Sequence, residues 1–193
     1  QGPKFHAAYI TLGQVLERQR NAVAARDAYA AAAKADPTRR DALLRLGELQ
    51  LMTGKADDAK KTVAQLLGLD ATDVEAKVLG ASVKLVAKDV EGALSDLKSV
   101  LQEKPGHSGA SRLLASLKLQ LGKPDEAVAA LKAAREKNPA DSSVLRMLLK
   151  VYSQLGRKDD ARALLELVHP LDLRTLVDTL EASAQSLSLW RCE

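Results

Sequence analysis

The sequence predicts an all-α solenoid of stacked helix–turn–helix repeats. Three observations carry that expectation. Four of the six prolines, Pro3, Pro37, Pro105 and Pro139, stand on one 34-residue spacing, and Ala71 occupies its single empty mark. On the same ruler Ala25, Ala59, Ala93, Ala127 and Ala161 form a column without exception. No stretch alternates apolar and polar residues over a strand's length. A period of 34 suits a pair of helices that repeats along the chain.

With Pro37 at position 32, the repeats begin at His6, Arg40, Val74, Ser108 and Ser142. The first helices are expected over 6–19, 40–53, 74–87, 108–121 and 142–155. Their seventh residues are Leu12, Leu46, Gly80, Leu114 and Leu148, and their eighth are mostly small: Gly13, Gly47, Ala81, Ala115 and Leu149. Position 15 is Gly54, Gly122 and Gly156 in three of the five repeats, a residue suited to a left-handed helix cap. The second helices are expected over 23–35, 57–69, 91–103, 125–137 and 159–168. Several begin on paired acids, such as Asp57-Asp58, Asp125-Glu126 and Asp159-Asp160, where the helix dipole favours negative charge. Pro124 fits the start of one of them. Position 20 stays small because two helices cross there, and position 24 stays bulky: Tyr29, Val63, Leu97, Leu131 and Leu165. The position-32 proline cannot continue the second helix, and Asp36 or Asn138 before it favours a turn.

The tail departs from this pattern. Leu173, Val177, Leu180, Ala184 and Leu187 recur at steps of four and three, which describes an amphipathic helix. Such arrays need an end cap with a polar outer face, and Asp172, Arg174, Asp178 and Glu181 lie mostly off the stripe. A docking helix, or the first helix of a truncated sixth repeat, is the alternative reading. Trp190 either packs on the last repeat or anchors a partner. The array is expected over 1–175, in repeats 6–39, 40–73, 74–107, 108–141 and 142–175, with the cap and tail over 176–193. Gln1-Gly2-Pro3 reads either as a tag remnant or as the end of a preceding repeat, since Pro3 is in phase.

These columns resemble the tetratricopeptide repeat, with its large residue at 4, Leu at 7, Gly or Ala at 8, Ala at 20, an aromatic at 24 and Pro at 32. The resemblance covers residues 6–175. It implies a right-handed α–α superhelix and a non-catalytic scaffold or adaptor that binds protein. It also implies that positions 2, 5, 9, 12 and 13 of each first helix line a concave groove. Carried over by register, the groove residues include Ile10, Gln14, Asp41, Leu44, Glu48, Leu51, Met52, Glu75, Val78, Ser82, Leu85, Val86, Arg112, Ser116, Leu119, Arg146 and Lys150. Their middle is apolar, acids line one side, and the C-terminal end is basic. A peptide or protein segment with apolar side chains and an acidic group toward the last repeats suits that gradient. The family's carboxylate clamp for chaperone tails needs Lys at position 5 and Asn at position 9. No repeat here has that pair, and the only asparagines are Asn21 and Asn138. Self-association, and a regulatory domain of a larger enzyme, remain open alternatives. The Ala/Leu/Arg-rich idiom looks like bacterial arrays, including those of envelope assemblies for polysaccharide export, pilus biogenesis or secretion.

Composition narrows the remaining classes. The net charge of +4, from 29 basic and 25 acidic residues, is spread along the chain. No basic cluster interleaved with aromatics marks a nucleic-acid track, although the isoelectric point is 9.2. No apolar run is long enough for membrane insertion. The single Cys192 allows no internal disulfide. His6, His107 and His169 fall at repeat junctions without metal-site spacing, and no phosphate loop or nucleophile–base pair stands out. No cofactor, metal or catalytic residue is expected.

Overall fold

In a computed structural model of the chain, residues 5–166 are described. Among them are ten α-helices and no strand. They are α1 (Phe5–Arg18), α2 (Ala22–Ala35), α3 (Arg40–Met52), α4 (Ala56–Leu69), α5 (Val74–Val86), α6 (Val90–Glu103), α7 (Ser108–Gln120), α8 (Pro124–Lys137), α9 (Ser142–Gln154) and α10 (Lys158–Glu166). The two helices of every expected repeat are present, within a few residues of the expected bounds. Pro3, the amphipathic tail from Leu173, Trp190 and Cys192 lie outside the described residues.

The expected columns form the core. Ala25, Ala59, Ala93 and Ala127 are completely buried, as are Leu97 and Leu131 from the bulky column. Ala161, in the last described helix, is half-buried. The close crossing that keeps position 8 small is explicit at Gly13, where an added Cβ would lie 2.7 Å from the Tyr29 ring. No shift of that buried ring accommodates a methyl group without repacking.

The first helices end in the expected left-handed cap. Gly54, Gly122 and Gly156 have φ of 74°, 69° and 68°. The same position takes φ of 58° at Arg20 and 64° at Lys88, so the cap is a property of all five repeats and not only of the three with glycine. After α5 the Lys88 amide donates to Leu85 and the Asp89 amide to Lys84, which ties off two terminal carbonyls.

The junction between repeats depends less on proline than the spacing suggests. At Asp36-Pro37-Thr38 the Asp36 carboxylate accepts from the Thr38 amide at 3.0 Å and its hydroxyl at 2.8 Å. At Asp70-Ala71-Thr72 the same two bonds recur at 2.8 and 2.7 Å. The empty mark at Ala71 is therefore filled by the same side-chain turn.

The described chain divides after Glu103 into two compact units, a boundary that the uninterrupted repeat pattern does not show. In the first, Ala25, Tyr29 and Ala32 of α2 pack with Ala42, Leu46 and Leu49 of α3. Val63 and Leu66 of α4 pack likewise with Ala76, Leu79 and Val83 of α5. In the second, Leu131 and Ala134 of α8 meet Val144, Leu148 and Val151 of α9. In α3 and α9 the covered positions are 3, 7 and 10; in α5, Leu79 at position 6 takes the place of Gly80 at position 7. Leu12 departs from its column: with Ala8 and Val15 it is exposed, because no described helix precedes α1.

Candidate binding surface

In the first unit, ion pairs join neighbouring first helices. Arg45 of α3 donates to both carboxylate oxygens of Glu17 on α1, at 2.7 and 2.9 Å, and to Glu48 at 2.5 Å. The Tyr29 hydroxyl also reaches Glu17, and burial beside that carboxylate raises its pKa. One helix further, Arg40 grips Asp73 with two bonds of 2.6 and 2.8 Å and reaches Glu75 at 2.7 Å. Asp73 is buried and caps α5 through the Ala76 amide at 3.1 Å. The Arg40 bonds hold its carboxyl below the ordinary value against the opposing effect of burial.

These pairs qualify the acidic side expected of the groove. Glu48 and Glu75 are engaged by Arg45 and Arg40, and Asp41 by Arg39 at 2.8 Å. Arg40 and Arg45 were not among the expected site residues. The available signal was a column relation: position 1 faces position 34, and position 6 faces position 12 of the preceding repeat. The apolar candidates separate into two sets. Ile10, Leu44 and Leu51 are half-buried and pack on the core. Val78 and Leu85 are also half-buried. Met52 and Val86, both at position 13, are 73% and 57% exposed. Gln14 is exposed, and Ser82 turns its hydroxyl back onto the Val78 carbonyl.

In the second unit α7 and α9 lie side by side. Ser108 bonds Asp141, which repeats the position-1 to position-34 link of Arg40 and Asp73. Asp141 caps α9 through the Ser143 and Val144 amides. Burial works to raise its pKa, but these bonds and the Ser143 hydroxyl prevail and lower it. Neither α7 nor α9 contains an acidic residue. Arg112, Arg146 and Lys150 are exposed and lie outside the ion pairs of the described residues, although Arg112 is near enough to Asp141 to help lower its pKa. Ser116 is half-buried beside them in register, and Leu119 packs partly on the core.

Among the described residues no group of three or more His, Cys, Asp or Glu could hold a metal ion. No described helix is long and apolar enough to cross a membrane.

The tetratricopeptide repeat model matches residues 16–82, 85–149 and 119–183. The chain belongs to the tetratricopeptide repeat family. Repeats of this family make protein-interaction scaffolds, which are generally non-catalytic. Several solved structures share the fold. A thermophilic TPR protein of Thermus thermophilus, TTC0263, is 23% identical over 90% of this chain and 97% of its own, with a TM-score of 0.70. Pseudomonas aeruginosa pilF is 20% identical over 97% and 91%, with a TM-score of 0.63. MamA protein is 21% identical over 84% and 89%, with a TM-score of 0.55. No curated protein matches the chain significantly by sequence.

Proposed function

We propose that the α7–α9 face binds an anionic segment of a partner protein. The observation that carries this reading is the set of three cations, Arg112, Arg146 and Lys150, on two helices without an acid. Cations at position 5 of consecutive repeats present their charge from neighbouring helices, and Lys150 stands one turn beyond Arg146. Such a face supplies register and encounter rate to an acidic segment. In the first unit the acids Glu17, Asp41, Glu48 and Glu75 are engaged by arginines, and Met52 and Val86 offer apolar contact on the first-helix face.

The test is titration of a fluorescent acidic peptide rich in Glu and Leu into the chain and into the Arg112→Glu/Arg146→Glu variant. The double reversal should weaken binding at least about tenfold and abolish its salt dependence. Equal affinity would remove this face from consideration. Placement in a bacterial envelope assembly rests on composition alone; the structural likenesses support the fold.

Self-association is a second reading, favoured by the bare stripe of α1. Phe5, Ala8, Leu12 and Val15 are spaced three, four and three residues apart, and all are exposed. A second copy that covers this stripe would bury the columns that α3, α5 and α9 bury within their own units. Light scattering over a concentration series, repeated on Leu12→Lys, decides it: a mass that does not rise with concentration removes the reading.

A further inference from the structure

A cavity of about 380 Å³ in the first unit lies between α4 and α6, with α5 as its floor. The floor is apolar, formed by Val63 and Leu67 of α4 with Gly80 and Val83 of α5. Gly80 holds position 7, where the other four repeats carry leucine. The backbone does not require a glycine there. Its φ is not left-handed, and an added Cβ would press on one side chain, Val63, at 3.3 Å, which a shift of a few tenths of an ångström in that valine relieves. A glycine inside a helix destabilises it by roughly 0.5–1 kcal/mol relative to alanine. The structural result of the missing leucine is open space above the floor.

The rim is basic. Lys60, Lys77 and Lys84 line it against one carboxylate, Asp96. Lys84 is paired with Asp96 at 2.7 Å, and Lys77 with Glu103 at 2.9 Å. Lys60 is exposed and makes no ion pair with a described residue. An apolar recess of this size, beside an ammonium group without a counter-charge, matches a ligand with a bulky apolar group next to a carboxylate.

We propose that this cavity anchors a partner protein through one bulky apolar side chain, such as Phe or Leu, flanked by acidic residues. The site lies in the first unit and is independent of the α7–α9 face. The apolar group takes the space that a position-7 leucine fills elsewhere, and the flanking carboxylate meets Lys60. A peptide is the favoured occupant because the chain belongs to a protein-binding family.

The test is a titration of the ¹⁵N-labelled chain with acetyl-Glu-Phe-Glu amide, followed by amide shifts. Two controls are acetyl-Glu-Ala-Glu amide, which lacks the anchor, and acetyl-Lys-Phe-Lys amide, which reverses the charge. The first peptide should shift Val63, Gly80 and Val83, and each control should bind at least about tenfold more weakly. Gly80→Leu restores the column residue; it should weaken binding at least about tenfold while the melting temperature holds or rises. Lys60→Glu changes only an exposed side chain. It should weaken the acidic peptide and improve the basic one, which keeps the test intact if Gly80→Leu fails to fold. In Arg112→Glu/Arg146→Glu the shifts of Val63, Gly80 and Val83 should follow the same titration curve as in the parent, which separates this site from the α7–α9 face. Absent shifts at the floor, equal binding of the alanine control, unchanged affinity in Lys60→Glu, or stronger binding of decanoate than of the acidic peptide would each overturn the proposal.

Discussion

Lys88 and Arg20 hold the left-handed cap that other repeats give to glycine, with φ of 64° and 58°. An L side chain there brings Cβ toward the following carbonyl, at roughly 1–2 kcal/mol. Lys88 is exposed, so its side chain contributes little to offset that strain. Lys88→Gly should therefore stabilise the chain by about 0.5–1 kcal/mol, after the extra freedom of glycine in the unfolded chain is subtracted. Urea unfolding measures this; a loss of stability would show that the lysine makes an interaction that outweighs the strain. Asp73 supplies a second residue-scale test. Its carboxyl is held below the ordinary value, mainly by Arg40. A depressed acid contributes stability that is fully present above the unfolded value, about 3.9, and lost as pH falls through the folded one. Asn can still cap a helix, so Asp73→Asn removes chiefly the charge pairing with Arg40. The variant should be less stable at pH 7 by about 1 kcal/mol, and its stability should fall less than the parent's below pH 4. Parallel pH profiles for the two proteins would refute the linkage.

At the scale of the helix, position 7 means different things in α1 and α3. Leu46 is 7% exposed because Tyr29 and Ala32 of α2 pack across it; Leu12 is 47% exposed. Leu46→Ala should cost about 2–5 kcal/mol, the range for a buried leucine that leaves a cavity. Leu12→Ala should change stability by less than about 0.5 kcal/mol. Thermal unfolding of the two variants side by side measures the difference. A large effect at Leu12 would mean that α1 is covered in solution. The contrast also explains what the sequence could show. Column periodicity marks positions that are alike in every repeat, so it locates Leu12 and Leu46 together. It does not say which first helix has no described helix before it. The same limit hid the links of Arg40 to Asp73 and of Ser108 to Asp141, since neither column keeps one residue type.

For the molecule as a whole, the fold was legible because an array repeats its constraints. The alanine column and the bulky position 24 each occur five times and the cap glycine three times, so an exception such as Ala71 did not obscure the period. The binding surface was less legible because its residues answer to no such repetition: Asp41, Glu48 and Glu75 look like free acids until their arginine partners are placed. The division after Glu103 was likewise invisible, since the helices on both sides keep the period. Stability in such arrays is close to a sum of repeat and nearest-neighbour contributions, which makes damage local. Ala59 is completely buried in the first unit, and Ala127 holds the same column in the second. A leucine at either should overpack its helix crossing by about 1–3 kcal/mol. Hydrogen exchange resolves where the loss falls. In Ala59→Leu the amides of α3, α4 and α5 should lose protection while those of α9 and α10 keep theirs; in Ala127→Leu the loss should fall on α8 and α9, with α1 and α2 unaffected. Uniform loss along the chain in both variants would mean that the array unfolds as one cooperative block. No loss in either would mean that the alanine column does not mark the helix crossings, and the groove assigned on the same register would fall with it.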